Sequence, residues 1–236
     1  MRIFAISDTH FTLDPNRSME GFGPIWRNHQ QQILHNAAHT LRSTDILLIG
    51  GDITWEKTLP KASTHLRQLN DLPGLHKVIV KGNHDHWWKK RPQLEEILPK
   101  GMQALQGTAT KIRGQVFAGT RAWLAPNDPC SDALDRKTYE KELKLLKEAL
   151  DAAMSLEPKE GIHLLLHFPP FTTQGETTPF WDLLTQYPVV TCTYGHFHMP
   201  EEFELIPKGM VEGISCNLTS ADYIKMTPTQ IWPIPA

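Results

Sequence analysis

Val78-Ile-Val-Lys-Gly-Asn-His-Asp85 sets branched apolar residues directly against a turn made of a glycine, an amide, an imidazole and a carboxylate. The apolar half is too short for a core helix and is β-branched, so it reads as a buried strand. The polar half stands where that strand ends. The same arrangement recurs along the chain. Arg2-Ile-Phe-Ala-Ile-Ser7 is followed by Asp8 and His10, Asp45-Ile-Leu-Leu-Ile-Gly-Gly51 by Asp52, Leu164-Leu-Leu166 by His167, and Thr193-Tyr-Gly195 by His196 and His198. In an open α/β sheet the carboxyl ends of the strands line one crevice, so these distant side chains are expected to converge.

Working outward, strands are expected over Arg2 to Ser7, Asp45 to Ile49, His76 to Lys81, His163 to Leu166 and Val189 to Tyr194. Weaker strands fall at Gln115 to Gly119 and Met210 to Ser215. Ile25 to Leu41 and Pro60 to Leu69 read as helices, the second opening on a proline whose missing N–H costs nothing there. Arg136 to Met154 is the best helix. Tyr139, Leu143, Leu146, Leu150 and Ala153 recur on one face, and Glu140 with Lys144 forms an i,i+4 pair on the other. Strands alternating with helices in the first half predict βαβ units, and shorter strands among prolines in the second half predict antiparallel or mixed pairing. The class is α/β.

With 236 residues, no repeat and no clear linker, the chain is expected to form a single domain over residues 1–236. Apolar residues make up 40% and charged residues 21%, which excludes disorder. A net charge of -2 argues against a surface built to hold extended nucleic acid. Cys130, Cys192 and Cys216 are widely spaced and odd in number, so they predict neither a disulfide framework nor a zinc ribbon, and a reducing compartment fits best. No apolar run approaches the roughly 20 residues that span a bilayer. The run after Met1 is too short for a signal peptide. The expected location is the cytoplasm, with no membrane partner.

Imidazole, carboxylate and amide oxygen without thiolate suit Mn, Fe or Zn better than an all-oxygen calcium or magnesium site. Single-ion zinc catalysis needs about three protein ligands, so seven candidates favour two ions. Gly50, Gly51, Gly82 and Gly195 are read as the sharp turns that such strand ends need.

Asp8-Thr-His10, Gly51-Asp52, Gly82-Asn-His-Asp85, His167 and Gly195-His-Phe-His198, in that order, resemble the motifs of the calcineurin-like metallophosphoesterases. Asp52-Ile-Thr-Trp55, Asn83-His-Asp-His-Trp-Trp88 and Gly119-Thr-Arg-Ala-Trp123 are similar to a group of bacterial predicted phosphohydrolases. The resemblance implies a four-layer α-β-β-α sandwich with two mixed central sheets. It implies that Asp8, His10 and His198 hold one divalent or trivalent ion, that Asn83, His167 and His196 hold a second, and that Asp52 bridges them. His84 would approach the substrate phosphate without binding metal and assist the leaving group, with Asp85 as its orienting partner. The implied activity is hydrolysis of a phosphomonoester or phosphodiester by a metal-bridging hydroxide.

The expected substrate is a small phosphorylated molecule, nucleotides included. Trp55 and Glu56 stand where Ser/Thr protein phosphatases carry Asp-Arg, and Asp85 replaces their Glu, which argues against a phosphoprotein. Gly195-His-Phe-His-Met-Pro200 is similar to the superfamily's repair nucleases, yet little chain follows residue 200 for their extra domain, so a nuclease stands second. A catalytically silent metal-binding interaction module is the reading from a different class. His84 within a full ligand set favours the enzyme.

Two features remain open at this level. Trp87 and Trp88, followed by Lys89, Lys90 and Arg91, would either stack a base and hold a second phosphate or pack as a pair before a helix start, and packing is favoured. Arg121 would either clamp a phosphate as a substrate-binding residue or serve as a structural ion-pair partner. His29, His35, His39, His65, His76, His86 and His163 fit no metal spacing.

Overall fold

A near-continuous apolar run makes a strand buried on both faces, and such strands need a layer on either side. The computed structural model, which describes residues 1–132 and 135–234, supplies those layers. In chain order the elements are β1 (Ile3–Ile6), α1 (His29–Thr40), β2 (Ile46–Ile49), α2 (Leu59–Asn70), β3 (His76–Val80), α3 (Arg91–Glu95), β4 (Met102–Leu105), β5 (Thr108–Ile112) and β6 (Gln115–Gly119). They continue with α4 (Asp135–Met154), β7 (Ile162–Leu165), α5 (Pro179–Leu184), β8 (Val189–Tyr194), α6 (Pro200–Leu205), β9 (Gly209–Val211), β10 (Ile214–Leu218) and β11 (Thr229–Trp232). One sheet runs β11-β1-β2-β3-β4 and the other β5-β6-β7-β8-β10-β9. Both are mixed: β11, β5 and β9 lie antiparallel at edges, while the remaining neighbours pair parallel.

Alternation along each strand builds the four layers. Ile3, Ala5, Ile46, Leu48, Val78 and Val80 of the first sheet meet Phe117 and Leu165 of the second in a shared core. Phe4, Ile6, Leu47 and Ile49 point the other way and cluster with Ile33, Ala37, Ala62 and Leu66 of α1 and α2. Val116, Ala118 and Leu164 of the second sheet cluster with Leu146, Ala149 and Leu150 of α4 and Phe180 of α5. Each of the buried Val, Ile, Leu and Phe side chains among them contributes about 1.5–3 kcal/mol relative to exposure. The α-β-β-α sandwich expected from the motifs is the fold observed.

Several sequence expectations are corrected. Ile25 to Leu41 is not one helix: Pro24–Trp26 forms a 3-10 turn, Asn28 breaks the path with φ 54 and ψ 31, and α1 starts after it. Asparagine tolerates the left-handed region. Met210 to Ser215 is two strands, because Glu212 and Gly213 both take positive φ (47 and 83) and close a two-residue hairpin between β9 and β10. Glu140 pairs with Arg136, while Lys144 turns to Glu148. The strands β4, β5 and β11 were not legible: all three sit at sheet edges, where burial is partial and apolar alternation weak. No helix among the described residues is long and apolar enough to cross a membrane.

Candidate metal centre

The loops after β1 and β2 are zipped together, Asp8 N–H donating to Gly51 O (2.9 Å) and His10 N–H to Asp52 O (2.9 Å). Ser7 ties this edge to the other sheet, donating its N–H to Thr219 O and accepting from Ala221 N–H. The bends in these loops are made by the polar residues themselves. Asp8, His10, Asp52 and His196 have φ of 58, 45, 49 and 78, the left-handed region that few non-glycine residues adopt and in which Asp and His are enriched. Of the four glycines read as sharp turns, only Gly51 takes positive φ (86). Gly82 and Gly195 serve close approach: a Cβ on Gly82 would lie 2.0 Å from Asp52 Oδ1, and one on Gly195 2.1 Å from Asp8 Oδ2.

Each of these carboxylates has one oxygen held and one left over. Asp8 Oδ2 accepts from His196 N–H (2.9 Å), while Asp8 Oδ1 is buried without a hydrogen-bond partner. Asp52 Oδ1 accepts from His84 N–H (2.7 Å), and Asp52 Oδ2 lies 3.9 Å from His10 Nε2, 3.7 Å from His167 Nε2 and 3.9 Å from His84 Nε2. Asp8 Oδ1 lies 3.8 Å from His198 Nε2 and 3.9 Å from His167 Nδ1.

The imidazoles are oriented from behind. His198 Nδ1–H donates to Asp222 (3.1 Å), and His167 Nδ1–H donates to Gly50 O (2.9 Å), which leaves the Nε2 lone pair of each turned into the cluster. His167 Nε2 then faces Asn83 Oδ1 at 2.7 Å, and His198 Nε2 faces His10 Nε2 at 3.4 Å. Acceptors turned on one another call for a shared proton or cation. Burial drives the His167 imidazole down to about 3 and His10 and His196 well below the usual value, so the imidazolium form is disfavoured on these three rings. Two nitrogens each about 2.1 Å from one ion at a tetrahedral angle are about 3.4 Å apart, which is the His10–His198 separation.

Burial raises the carboxyls of Asp8 and Asp52, for the same reason that it lowers the imidazoles: no charge is welcome without a counter-charge. His198 differs, since burial pulls it down but the hydrogen bond to Asp222 and the nearby carboxylates outweigh that and leave it raised. The protein's own groups leave this cluster short of positive charge. The donor set fits a transition-metal ion.

Two ligand groups are compact enough to hold an ion, Asp8 with His10 and His198, and Asp8 with Asp52 and His167. Asp8 is thus common to both, where the motif order had placed Asp52. Asn83 joins through His167. His196 lines the same cleft, its ring 5.2 Å from that of His167 and 3.9 Å from that of Phe168, outside both groups. His84 faces the cleft with its side chain 39% exposed, far more open than the buried imidazoles, and its ring packs on Trp55 at 4.6 Å.

Asp85 does not orient the His84 ring. Its Oδ1 accepts from Ile53 N–H, Thr54 N–H and Trp87 Nε1–H (3.0, 3.2 and 2.8 Å) and its Oδ2 from Gly82 N–H (2.8 Å), so it pins the loop after β3 to the loop after β2. Trp87 and Trp88 are a buried pair with ring centroids 5.3 Å apart, Trp88 Nε1–H donating to Gln106. Arg121 is paired with Glu142 (3.2 Å), lies over Trp123 at 4.2 Å, and its charge acts on Asp52.

Asp222 and Glu202 were missed from sequence. Glu202 accepts from His198 N–H and Met199 N–H (3.1 and 3.0 Å). Asp222 follows strand β10 as the other acids follow theirs, a signal weakened because the strand was placed too early.

Fold and cluster together define an α/β protein with a metal-binding centre at its strand ends. The chain belongs to the calcineurin-like phosphoesterases, whose family model matches residues 1–200. No curated protein matches it. Among solved structures, a protein of unknown function from Aquifex aeolicus is similar at 19% identity with a TM-score of 0.43, covering 97% of this chain and 95% of that one. That likeness is too distant to bring a function across.

Proposed function

We propose that this protein is a dinuclear metal-dependent enzyme that hydrolyses a phosphoester of a small phosphorylated molecule, a mononucleotide-sized compound among them. The observation that carries the reading is the pair of carboxylate oxygens, Asp8 Oδ1 and Asp52 Oδ2, facing the imidazole nitrogens of His10, His167 and His198 across the two sheets. Ions bound there supply Lewis acidity, lowering the pKa of water and neutralising phosphoryl oxygens. Asp8, His10, Asp52, Asn83, His167, His196 and His198 would hold them. Arg121, held by Glu142 and Trp123, would be the side chain that meets a phosphoryl oxygen. His84 is open to the cleft and carries the proton that a departing alkoxide needs.

The test is metal analysis of protein loaded with Mn²⁺, together with turnover of phosphomonoesters, phosphodiesters, nucleotides and cyclic nucleotides. Two bound ions with turnover of a small ester is the expected result. Full occupancy at one ion, with His167 and His196 turned away, overturns the dinuclear reading. Metal binding without turnover of any ester would favour a silent interaction module.

A further inference from the structure

The cleft that opens from the metal centre has a second character that the ligands do not explain. Its volume is about 340 Å³, and His10, Asp52, His84, His196 and His198 form only one side of it. Apart from Glu202 the remainder is apolar: Met19 and Phe197, which are buried, Trp55, and Phe22 and Met199, which are exposed. Phe22 and Met199 are 49% and 46% exposed, large apolar side chains left in water beside a reactive centre. Covering them releases the free energy of hydrating apolar surface, about 25 cal/mol for each Å².

Charge sharpens the picture. Among the described residues, no lysine or arginine lines this cleft. Arg17 lies over the Trp55 ring at 4.8 Å without joining this lining, and Lys81, Lys89 and Lys90 line a different pocket, beside Trp88. The one acid outside the metal cluster, Glu202, has its Oε2 committed to His198 N–H and Met199 N–H. An anionic group on the apolar side of the cleft would meet the Glu202 carboxylate and no lysine or arginine of the lining. The aromatic walls already stack on the ligands: Phe22 meets the His198 ring edge-on at 5.5 Å, and Trp55 lies 5.0 Å from His10 and 4.6 Å from His84. A further apolar body laid between them continues that packing, and the thioether of Met199 adapts to its outline.

We infer that this cleft is the subsite for the alcohol half of the ester, and that it selects substrates whose alcohol is bulky, uncharged and apolar. The inference rests on the phosphoesterase reading for the word ester, but the cleft's preference for an apolar group attached to a phosphoryl anion is a binding property of its own. An aromatic ring and an alkyl chain share this chemistry. Polyphosphates, phosphopeptides and nucleic-acid strands are disfavoured by it.

The experiment is calorimetric titration of Mn²⁺-loaded protein with methylphosphonate, naphthylmethylphosphonate, octylphosphonate and carboxyethylphosphonate, none of which has an ester bond to cleave. The apolar phosphonates should bind at least about tenfold tighter than methylphosphonate, the gain expected from covering one ring's worth of apolar surface. Carboxyethylphosphonate should gain nothing. Phe22→Ala and Met199→Ala should each erase much of the apolar gain while methylphosphonate affinity and Mn²⁺ content stay at the wild-type level. A gain for naphthyl alone identifies an aromatic alcohol, and an equal gain for octyl a chain. Equal affinities throughout, or tightest binding of the carboxyethyl compound, overturn the subsite. If the phosphonates rank as expected but no corresponding ester is turned over, the enzymatic reading falls and the subsite stands. If esters are hydrolysed without regard to the alcohol, the subsite falls and the enzyme stands.

Discussion

His84 and Asp222 show how much a single side chain can decide without touching an ion. His84 stands 3.9 Å from Asp52 Oδ2 and open to the cleft. If it protonates the leaving oxygen, His84→Asn should keep the metal and lower kcat on an alkyl ester by about 10²- to 10⁴-fold. The loss should be much smaller for a nitrophenyl ester, whose leaving group departs without a proton. Equal losses on both esters would mean that His84 instead steadies charge on the phosphoryl oxygens. Asp222 acts one bond further back, holding Nδ1–H of His198. Asp222→Ala should weaken metal binding by about 10- to 100-fold, because the ring loses both its orientation and its tautomer. Competition against a chromogenic chelator reads this directly, and unchanged affinity would leave Asp222 a bystander. Asp52→Asn, in turn, should weaken both ions together if that residue bridges. Since Asp8 is the geometry's shared ligand, joint loss in Asp8→Asn with single loss in Asp52→Asn would transfer the bridging role.

Among the elements, strand β7 carries a pH-dependent contribution to stability. His163 sits on its inner face against Phe117, with Nδ1 2.9 Å from Thr191 Oγ1 and Nε2 2.9 Å from Gln115 Oε1. Burial pushes this imidazole down to about 4. In the unfolded chain it takes a proton near about pH 6.5. Its neutral form therefore stabilises the fold fully above about pH 6.5, and that contribution is lost as pH falls through about 6.5 toward the folded value. In urea unfolding of metal-free protein, the stability gap between wild type and His163→Gln should narrow by about 2 kcal/mol between about pH 7.5 and about pH 5. A constant gap would show that the folded imidazole accepts the proton without difficulty. The break before α1 has a different consequence. With α1 starting only after Asn28, Trp26 turns inward and packs 5.9 Å from His10 and 5.4 Å from His198, so an element boundary becomes part of the candidate metal centre's wall.

For the molecule as a whole, the centre is a clamp between sheets. Asp8, Asp52 and Asn83 leave the first sheet, and His167, His196 and His198 leave the second. An ion held by both sets binds the folded state and has no equal site in the unfolded chain. At about 100 times its dissociation constant such an ion adds about 2.7 kcal/mol. For a chain of this length that corresponds to a rise of roughly 5–10 °C in Tm. Calorimetry in chelator and in Mn²⁺ should show the rise in the wild type and its loss in Asp8→Asn. A rise retained in that variant would place the stabilising ion elsewhere.

The sequence by itself determined the strands that lead into the cluster and named most of the side chains that gather there. Both signals are local: a β-branched run such as Val78 to Val80 can be read from neighbours, and a glycine followed by Asn83-His84-Asp85 announces a polar strand end. The family order of those motifs then implied the sandwich. Tertiary structure alone decided which atoms face one another. Asp85 reads locally as a companion of His84, yet its oxygens go to N–H groups of two loops, because the loop after β2 comes to rest against it. Asp222 lies beside His198 only once β10 pairs with β8. The apolar cleft wall joins residue 22 to residue 199. No short-range pattern encodes such meetings, since they are set by how two sheets dock, and docking is fixed by the shape of a whole core.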